Sequence, residues 1–365
     1  MKKLFLLLFI IFPANALAQD QAQEEIFKAE VIEIVQEKFI ENETGDIVQQ
    51  NLKLKALNGT FKGQEVFYEG IDSFQVLSNQ VYQKGDRVIV SYNHDVDGNE
   101  YFFITDYDRS NPVLWLSIIF VLSVVVIGRW KGLRSLIALV ISFVVILKFI
   151  VPQIMSGSDP VMISVFGGII ILFFAIYLTQ GINKKAHIAN ISLIISLVFI
   201  AFLSMWFTRL ARLSGYAGEE TIFLLDKTGG SLNLQGLLLA GILIGTLGVL
   251  DDVIISQVST VEQLKQANPQ LSKKQVYLRS LKVGIDHITS MINTLFFAYA
   301  GASLPLLILF TQSDTLGLNF SQVMNNEIIA TEIVRTLLGS IGIILSIPIA
   351  NYLASYFLNV KNKTN

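Results

Sequence analysis

Cysteine is absent from the 365 residues. That excludes disulfides, thiolate metal sites, a cysteine nucleophile and a lipid-modified cysteine anchor. Charge is scarce: Asp, Glu, Lys and Arg make up 15% of the chain, and the net charge is -2. No basic stripe with interleaved aromatics occurs, so nothing points to a nucleic-acid partner. Nucleophile elbow, Walker loop and zincin helix are all missing, and no cofactor is expected. What remains is apolar. With 52% hydrophobic residues and a mean hydropathy of +0.56, the chain is too apolar for a soluble protein, and its long runs are those of membrane helices.

Residues 1–18 carry Lys2 and Lys3, the run LFLLLFIIF, then Pro13 and the small residues Ala16 and Ala18. This reads as a secretory signal, since the apolar run is too short to span a bilayer. From 19 to 111 the character changes to alternating stretches such as FKAEVIEIV, VQQNLKLKAL, QEVFYEG, DRVIVSYN and EYFFITDY, with turn signals at Asn58-Gly59, Gly63, Lys84-Gly85-Asp86 and Asp97-Gly98-Asn99. The expectation is a small extracytoplasmic all-β domain of about five strands, OB-like or another small barrel.

Residues 112–365 read as a helical membrane domain with about seven spans, near 113–128, 133–151, 161–180, 188–208, 236–255, 285–310 and 337–358. The fold class is therefore a mainly α-helical polytopic membrane protein with an amino-terminal β domain. Charge bias sets the orientation. Arg129, Lys131, Arg134, Lys184, Lys185, Lys265, Lys273, Lys274, Arg279, Lys282, Lys361 and Lys363 fall on one side, the cytoplasmic side of a bacterial plasma membrane, which also takes the carboxyl terminus. Between spans five and six, Asn268-Pro269 separates VSTVEQLKQAN from KKQVYLRSLK, capped by Ser272. A cytoplasmic helical hairpin over 256–282 is expected.

Two polar stripes stand out. On span five Gly241, Gly245, Gly248, Asp252, Ser256 and Ser259 recur at three- and four-residue steps; on span six Asp286, Ser290, Asn293 and Thr294 do the same. A carboxylate near the bilayer centre costs about 2.5–3.5 kcal/mol on insertion scales, so the stripes are expected to face each other or a wet cavity. Asp251 stands beside Asp252, about 100° around the helix, and the sequence leaves open which of the two is the functional carboxylate. His287, beside Asp286, reads as a local partner. Gly241 and Gly245 form a small-xxx-small pair whose commonest use is close helix packing. Gly301 and Pro305 are expected to interrupt span six, and Gly339, Gly342 and Pro348 span seven. Glu332 and Arg335 are placed to pair.

The runs LLLAGILIGTLGVLDDVIISQVSTVEQL, GIDHITSMINTLFFAYAGASLPLLILF and EIVRTLLGSIGIILSIPIA, with the KGDRVIV strand before them, resemble the YibE/F-like family of bacterial membrane proteins. The resemblance covers nearly the whole chain after the signal. It implies a membrane or transport protein and supplies no catalytic residue or substrate. Its pattern is expected to have one acidic residue after GVL, where Asp251 and Asp252 stand together here.

The functional expectation is a permease or exporter for an ion or small solute, lined by Asp252, Asp286, Ser256, Ser290, Asn293 and Thr294, with the lipid bilayer as its surroundings. Oxygen ligands of this kind suit a hard cation or a proton-coupled solute. Two alternatives stay open. One is a non-transporting assembly or sensor protein whose β domain binds an extracytoplasmic partner. The other is an intramembrane aspartyl protease in which Asp252 and Asp286 share a proton, although its Gly-x-Gly-Asp signature is missing.

Overall fold

The computed structural model describes residues 25–40, 47–71, 81–94, 100–216, 219–311 and 319–358. The expected signal at 1–18 and the turn at Asp97-Gly98-Asn99 lie outside them. The chain divides into two compact units, residues 1–126 and 127–365.

In the first unit the five alternating stretches are β1 (Glu25–Ile40), β2 (Ile47–Ala56), β3 (Glu65–Glu69), β4 (Arg87–His94) and β5 (Glu100–Tyr107). Every described pairing is antiparallel, and the order is β3-β2-β1-β4-β5. The end strands β3 and β5 lie close together, so the sheet coils toward closure as in a five-stranded Greek-key barrel. Two register shifts in β1, between Val31 and Glu33 and between Ile34 and Gln36, supply the bend. Alternate residues Phe27, Ala29, Val31, Leu52, Leu54, Val88 and Val90 fill the interior. One buried polar side chain is fully used: Gln50 donates to Glu37 and to the Tyr82 carbonyl, and accepts from the Tyr82 amide at 2.7 Å. Where β5 ends, Lys28 donates to Asp108 at 2.9 Å and to Ser110 at 2.7 Å.

The helices are α1 (Ser110–Val145), a π turn (Ile146–Ile150), α2 (Val151–Met155), α3 (Pro160–Gln180), α4 (Lys184–Leu210), α5 (Glu219–Lys227), α6 (Leu234–Ala267), α7 (Lys273–Ala302), α8 (Leu304–Thr311), α9 (Phe320–Met324) and α10 (Glu327–Phe357). Among the described residues five helical segments are long and apolar enough to cross a membrane: 110–155, 160–180, 184–210, 234–267 and 327–357. The protein is a multi-pass membrane protein. The first segment holds two of the expected spans, separated at Arg129, whose backbone is non-helical (φ 49, ψ -132). The expected span at 285–310 is not among the five. It is divided at Ser303 between α7 and α8, as Gly301 and Pro305 led one to expect. Span seven differs, because α10 runs on through Pro348 and is not broken there. One proline removes one backbone hydrogen bond, and the buried neighbours Ile347 and Ala350 hold the rest of the turn in place.

Side-chain caps start the main helices. Asp159 accepts from Met162, Asn183 from Ala186, Asn233 from Gly236, and Ser272 completes a capping box with Gln275. The hairpin expected over 256–282 is formed by the unbroken continuations of α6 and α7, which turn at Asn268-Pro269, so VSTVEQLKQA is the last part of α6 and not a separate helix.

Helix α10 packs against α4, α6 and α7, and α6 packs against α3 and α4. Two contacts align the ends. Lys185 at the start of α4 pairs with Glu262 near the end of α6 at 3.2 Å. Lys265 donates to the Ser355 and Leu358 carbonyls at 2.8 and 2.6 Å, satisfying acceptors that the end of α10 leaves free. This is the lower end of the bundle. At the upper end Glu327 accepts from the Ser214 amide, the Ser214 hydroxyl and the Gly215 amide.

Candidate functional site: a three-helix seam

Helices α3, α4 and α6 converge on Gly168. A methyl group there would lie 3.1 Å from Leu247 of α6 and 3.2 Å from Leu197 of α4, so glycine lets the two leucines close over α3 without being pushed aside. The three residues form an apolar plug, packed with Leu172, Leu193 and Leu250.

Above the plug lies a vestibule of about 470 Å³, walled by α3, α4 and α6. Its polar rim is Asp159, Arg209, Asn233 and Gln235, and Val198 and Ala201 line its apolar wall. The caps Asp159 and Asn233 stand there because α3 and α6 begin side by side, Gly236 lying against Pro160. Ser164 is one turn above Gly168 on the same face. It is fully buried and its hydroxyl has no hydrogen-bond partner among the described residues.

Below the plug two polar groups turn into the seam. Asp251 follows Leu247 by one turn on α6, and Asn190 precedes Leu197 by two turns on α4, so each continues the face of its leucine. Asn190 is 5% exposed. The Asp251 Oδ1 and Asn190 Nδ2 atoms are both buried without a hydrogen-bond partner among the described residues. This departs from the norm, since buried polar groups are almost always paired. By contrast Ser192 and Ser196, on the same helix, return their hydroxyls to the backbone at 2.8 Å. The Lys185–Glu262 pair closes the lower end of the same seam.

The two stripes singled out in the sequence are not brought together. Gly241, Gly245, Gly248 and Asp252 lie on the exposed face of α6, about 200° around the helix from the buried line of Leu243, Leu247, Leu250 and Ile254. Ser256 is partly buried on the flank. On α7 the buried residues are Val276, Ser280, Gly284 and Leu295, with Ile288, Met291 and Tyr299 packed beside the last two. Asp286, Ser290, Asn293 and Thr294 are exposed on the other side. The expectation of a shared face is therefore corrected: α7 meets α6 through its apolar line, and a change of two positions turns a residue about 200° away. Asp252 and Asp286 are both exposed, so neither carboxylate is held in a buried pair. The geometry also separates the two neighbouring carboxylates: Asp251 turns an oxygen into the bundle while Asp252 faces out. The small-xxx-small pair does not pack helices within the chain either. Nothing lies near a methyl built on Gly241 or Gly248, and Gly245 meets only the Tyr299 hydroxyl.

A second buried polar contact joins α6 to α10, where Asn351 Nδ2 donates to Gln257 Oε1 at 3.2 Å. At the upper end of α10 the expected Glu332–Arg335 pair is formed at 3.1 Å, and Ser303 donates to Glu332. His287 is partly buried and has no described partner.

The comparisons with known proteins now bear on these helices. The family model of YibE/F-like proteins matches residues 116–360, and that of the YibE/F family N-terminal domain matches residues 20–107. The chain belongs to the YibE/F-like family. No curated protein and no solved structure matches it. The first match takes in the whole α3–α4–α6 seam and the second the β sheet, so the plug and the groups on either side of it lie within the stretch that the family model covers.

Asn190, Ser164 and Gln257 were not singled out in the sequence reading. The signal for Asn190 was present as a seven-residue step, Asn190, Leu197 and Ser204, which continues one face of α4 across a polar, an apolar and a polar residue.

Proposed function

We propose that the protein is a membrane permease whose path is the α3–α4–α6 seam, moving an ion or small solute past the Leu197–Leu247 plug to Asp251 and Asn190. The observation that carries this reading is the order of groups along the seam: a largely apolar vestibule with a polar rim, an apolar closure, then a buried carboxylate oxygen and amide nitrogen without partners among the described residues. A carboxylate facing into a membrane bundle is costly, and such residues mark ion and substrate pathways. In this reading the vestibule opens to the outside. The lysine-rich lower end faces the cytoplasm, as the positive-inside bias requires, and the β domain stands outside the plasma membrane.

The test is flux. Full-length protein reconstituted in sealed vesicles is expected to move at least one member of a panel of inorganic ions and small metabolites faster than protein-free vesicles. Replacing Gly168 with valine is expected to reduce that flux by forcing side chain into the plug. Equal leakage from loaded and empty vesicles across the panel would sink the reading.

A further inference from the structure

We infer that the substrate of this seam is a monovalent cation, drawn below the plug by the carboxylate of Asp251. The inference rests on the permease reading and narrows it through the charge balance of the buried site. Among the described residues Asp251 is the one carboxylate turned into the middle of the seam, since Asp252 lies on the outer face and Glu262 is already paired with Lys185. At the rim, the carboxylate of Asp159 and the guanidinium of Arg209 balance one another, so selection by charge falls on Asp251.

Net charge is expensive in this surrounding. Asp251 is flanked by Leu247, Leu250 and Ile254, and unbalanced charge in a low-dielectric interior costs several kcal/mol. One carboxylate and one positive charge sum to zero; a divalent ion would leave one charge uncompensated, and an anion would double the deficit. Oxygen ligands complete the case. The Asn190 amide, also below the plug, can present its oxygen by a half rotation, because its two ends are nearly the same in size, and so offers a hard cation an oxygen further along the path. The Ser164 hydroxyl, buried and without a partner above the plug, provides an oxygen on the way in.

The experiment measures ion selectivity. Vesicles carrying the full-length protein are given equal gradients of potassium, sodium, ammonium, protons, magnesium, calcium, chloride and urea, and flux is read with ion-selective dyes and light scattering. Flux of at least one monovalent cation is expected to exceed that of magnesium, calcium, chloride and urea by about tenfold or more. The Asp251→Asn change should abolish it. Asp251→Glu should retain part of it, which controls for misfolding. A second carboxylate, introduced as Asn190→Asp, is expected to shift the selectivity toward magnesium and calcium. Flux carried by urea, chloride or a divalent ion in the wild type, or monovalent flux indifferent to Asp251→Asn, would overturn the inference while leaving a permease. Absence of flux for every probe would overturn the permease reading as well.

Discussion

Asn351 on α10 donates its side-chain amide to the Gln257 carbonyl on α6 over 3.2 Å, with both residues buried. The contact depends on a third helix, because a methyl on Gly284 of α7 would lie 2.8 Å from the Gln257 oxygen and 2.6 Å from Ile347. Three helices of the bundle are thus registered at one point. The contact belongs to the α6–α10 side of α6, apart from the seam, and so makes a structural prediction independent of transport.

Replacing Asn351 with leucine leaves the Gln257 amide buried without its partner, which costs about 1–3 kcal/mol. The double change Gln257→Leu with Asn351→Leu removes both polar groups and is expected to recover most of that loss. Gly284→Ala should destabilise by about 1–3 kcal/mol through overpacking. Thermal unfolding of the detergent-solubilised protein checks all three, and a double variant no more stable than Asn351→Leu would contradict the account.

Lys265 closes the end of α10 by donating to its last carbonyls. The Lys265→Met change keeps the aliphatic stem but removes the donors, so the last turn of α10 is expected to fray while the core of the bundle stays intact. Hydrogen exchange should show faster exchange confined to about the last turn before Leu358, since end effects fall off within a turn.

The β domain carries a pH dependence of its own. Burial pushes the Asp108 carboxyl up, but hydrogen bonds from Ser110 and Lys28 outweigh burial and hold it below its ordinary value of 3.8. A depressed carboxyl contributes stability that is fully present above that value and is lost as pH falls through the lowered one. Acid titration of the full-length protein, followed by peptic cleavage within the β domain, should therefore show cleavage beginning at a higher pH in Asp108→Asn than in the wild type.

Topology is directly testable because the chain has no cysteine. A single cysteine at Lys62 should react with an impermeant maleimide on intact cells, and one at Gln270 only after the membrane is opened. The reverse pattern would invert the proposed orientation and place the vestibule inside.

Much of the architecture was legible in the sequence because it rests on local rules. Alternation gave all five strands, Ser272 gave the start of α7, and the three-residue step gave the Glu332–Arg335 pair. The site was less legible for a physical reason. Helix α6 carries two plausible stripes, and periodicity alone shows that they are on different faces without showing which face the neighbours cover. The glycine and Asp252 stripe looked special because small and polar residues are rare on apolar helices. It is the exposed one, because Leu243, Leu247 and Leu250 find Gly168 and Leu197 on the other side. Packing between helices distant in sequence decided between Asp251 and Asp252, and no spacing within α6 holds that information. Span six follows the same rule: Gly284 and Leu295 face the bundle, and the polar residues Asp286, Ser290, Asn293 and Thr294 lie exposed.

The plug gives a prediction of opposite sign to most substitutions. Leu197→Ala opens space where Leu197 and Leu247 close over Gly168, and is expected to raise flux while lowering stability by about 2–5 kcal/mol. Reduced flux in a protein that still folds would show that the leucines line something other than a closure.

The two neighbouring carboxylates provide the most direct test. Asp251→Asn and Asp252→Asn differ by one position and about 100° of helix, and each exchanges a carboxylate for an amide of similar size. Both variants are to be compared with the wild type in the same vesicle flux assay, at equal amounts of inserted protein. The account predicts that Asp251→Asn abolishes flux and Asp252→Asn leaves it near the wild-type rate. Loss of flux in Asp252→Asn with retention in Asp251→Asn would contradict it, and would move the path to the exposed face of α6.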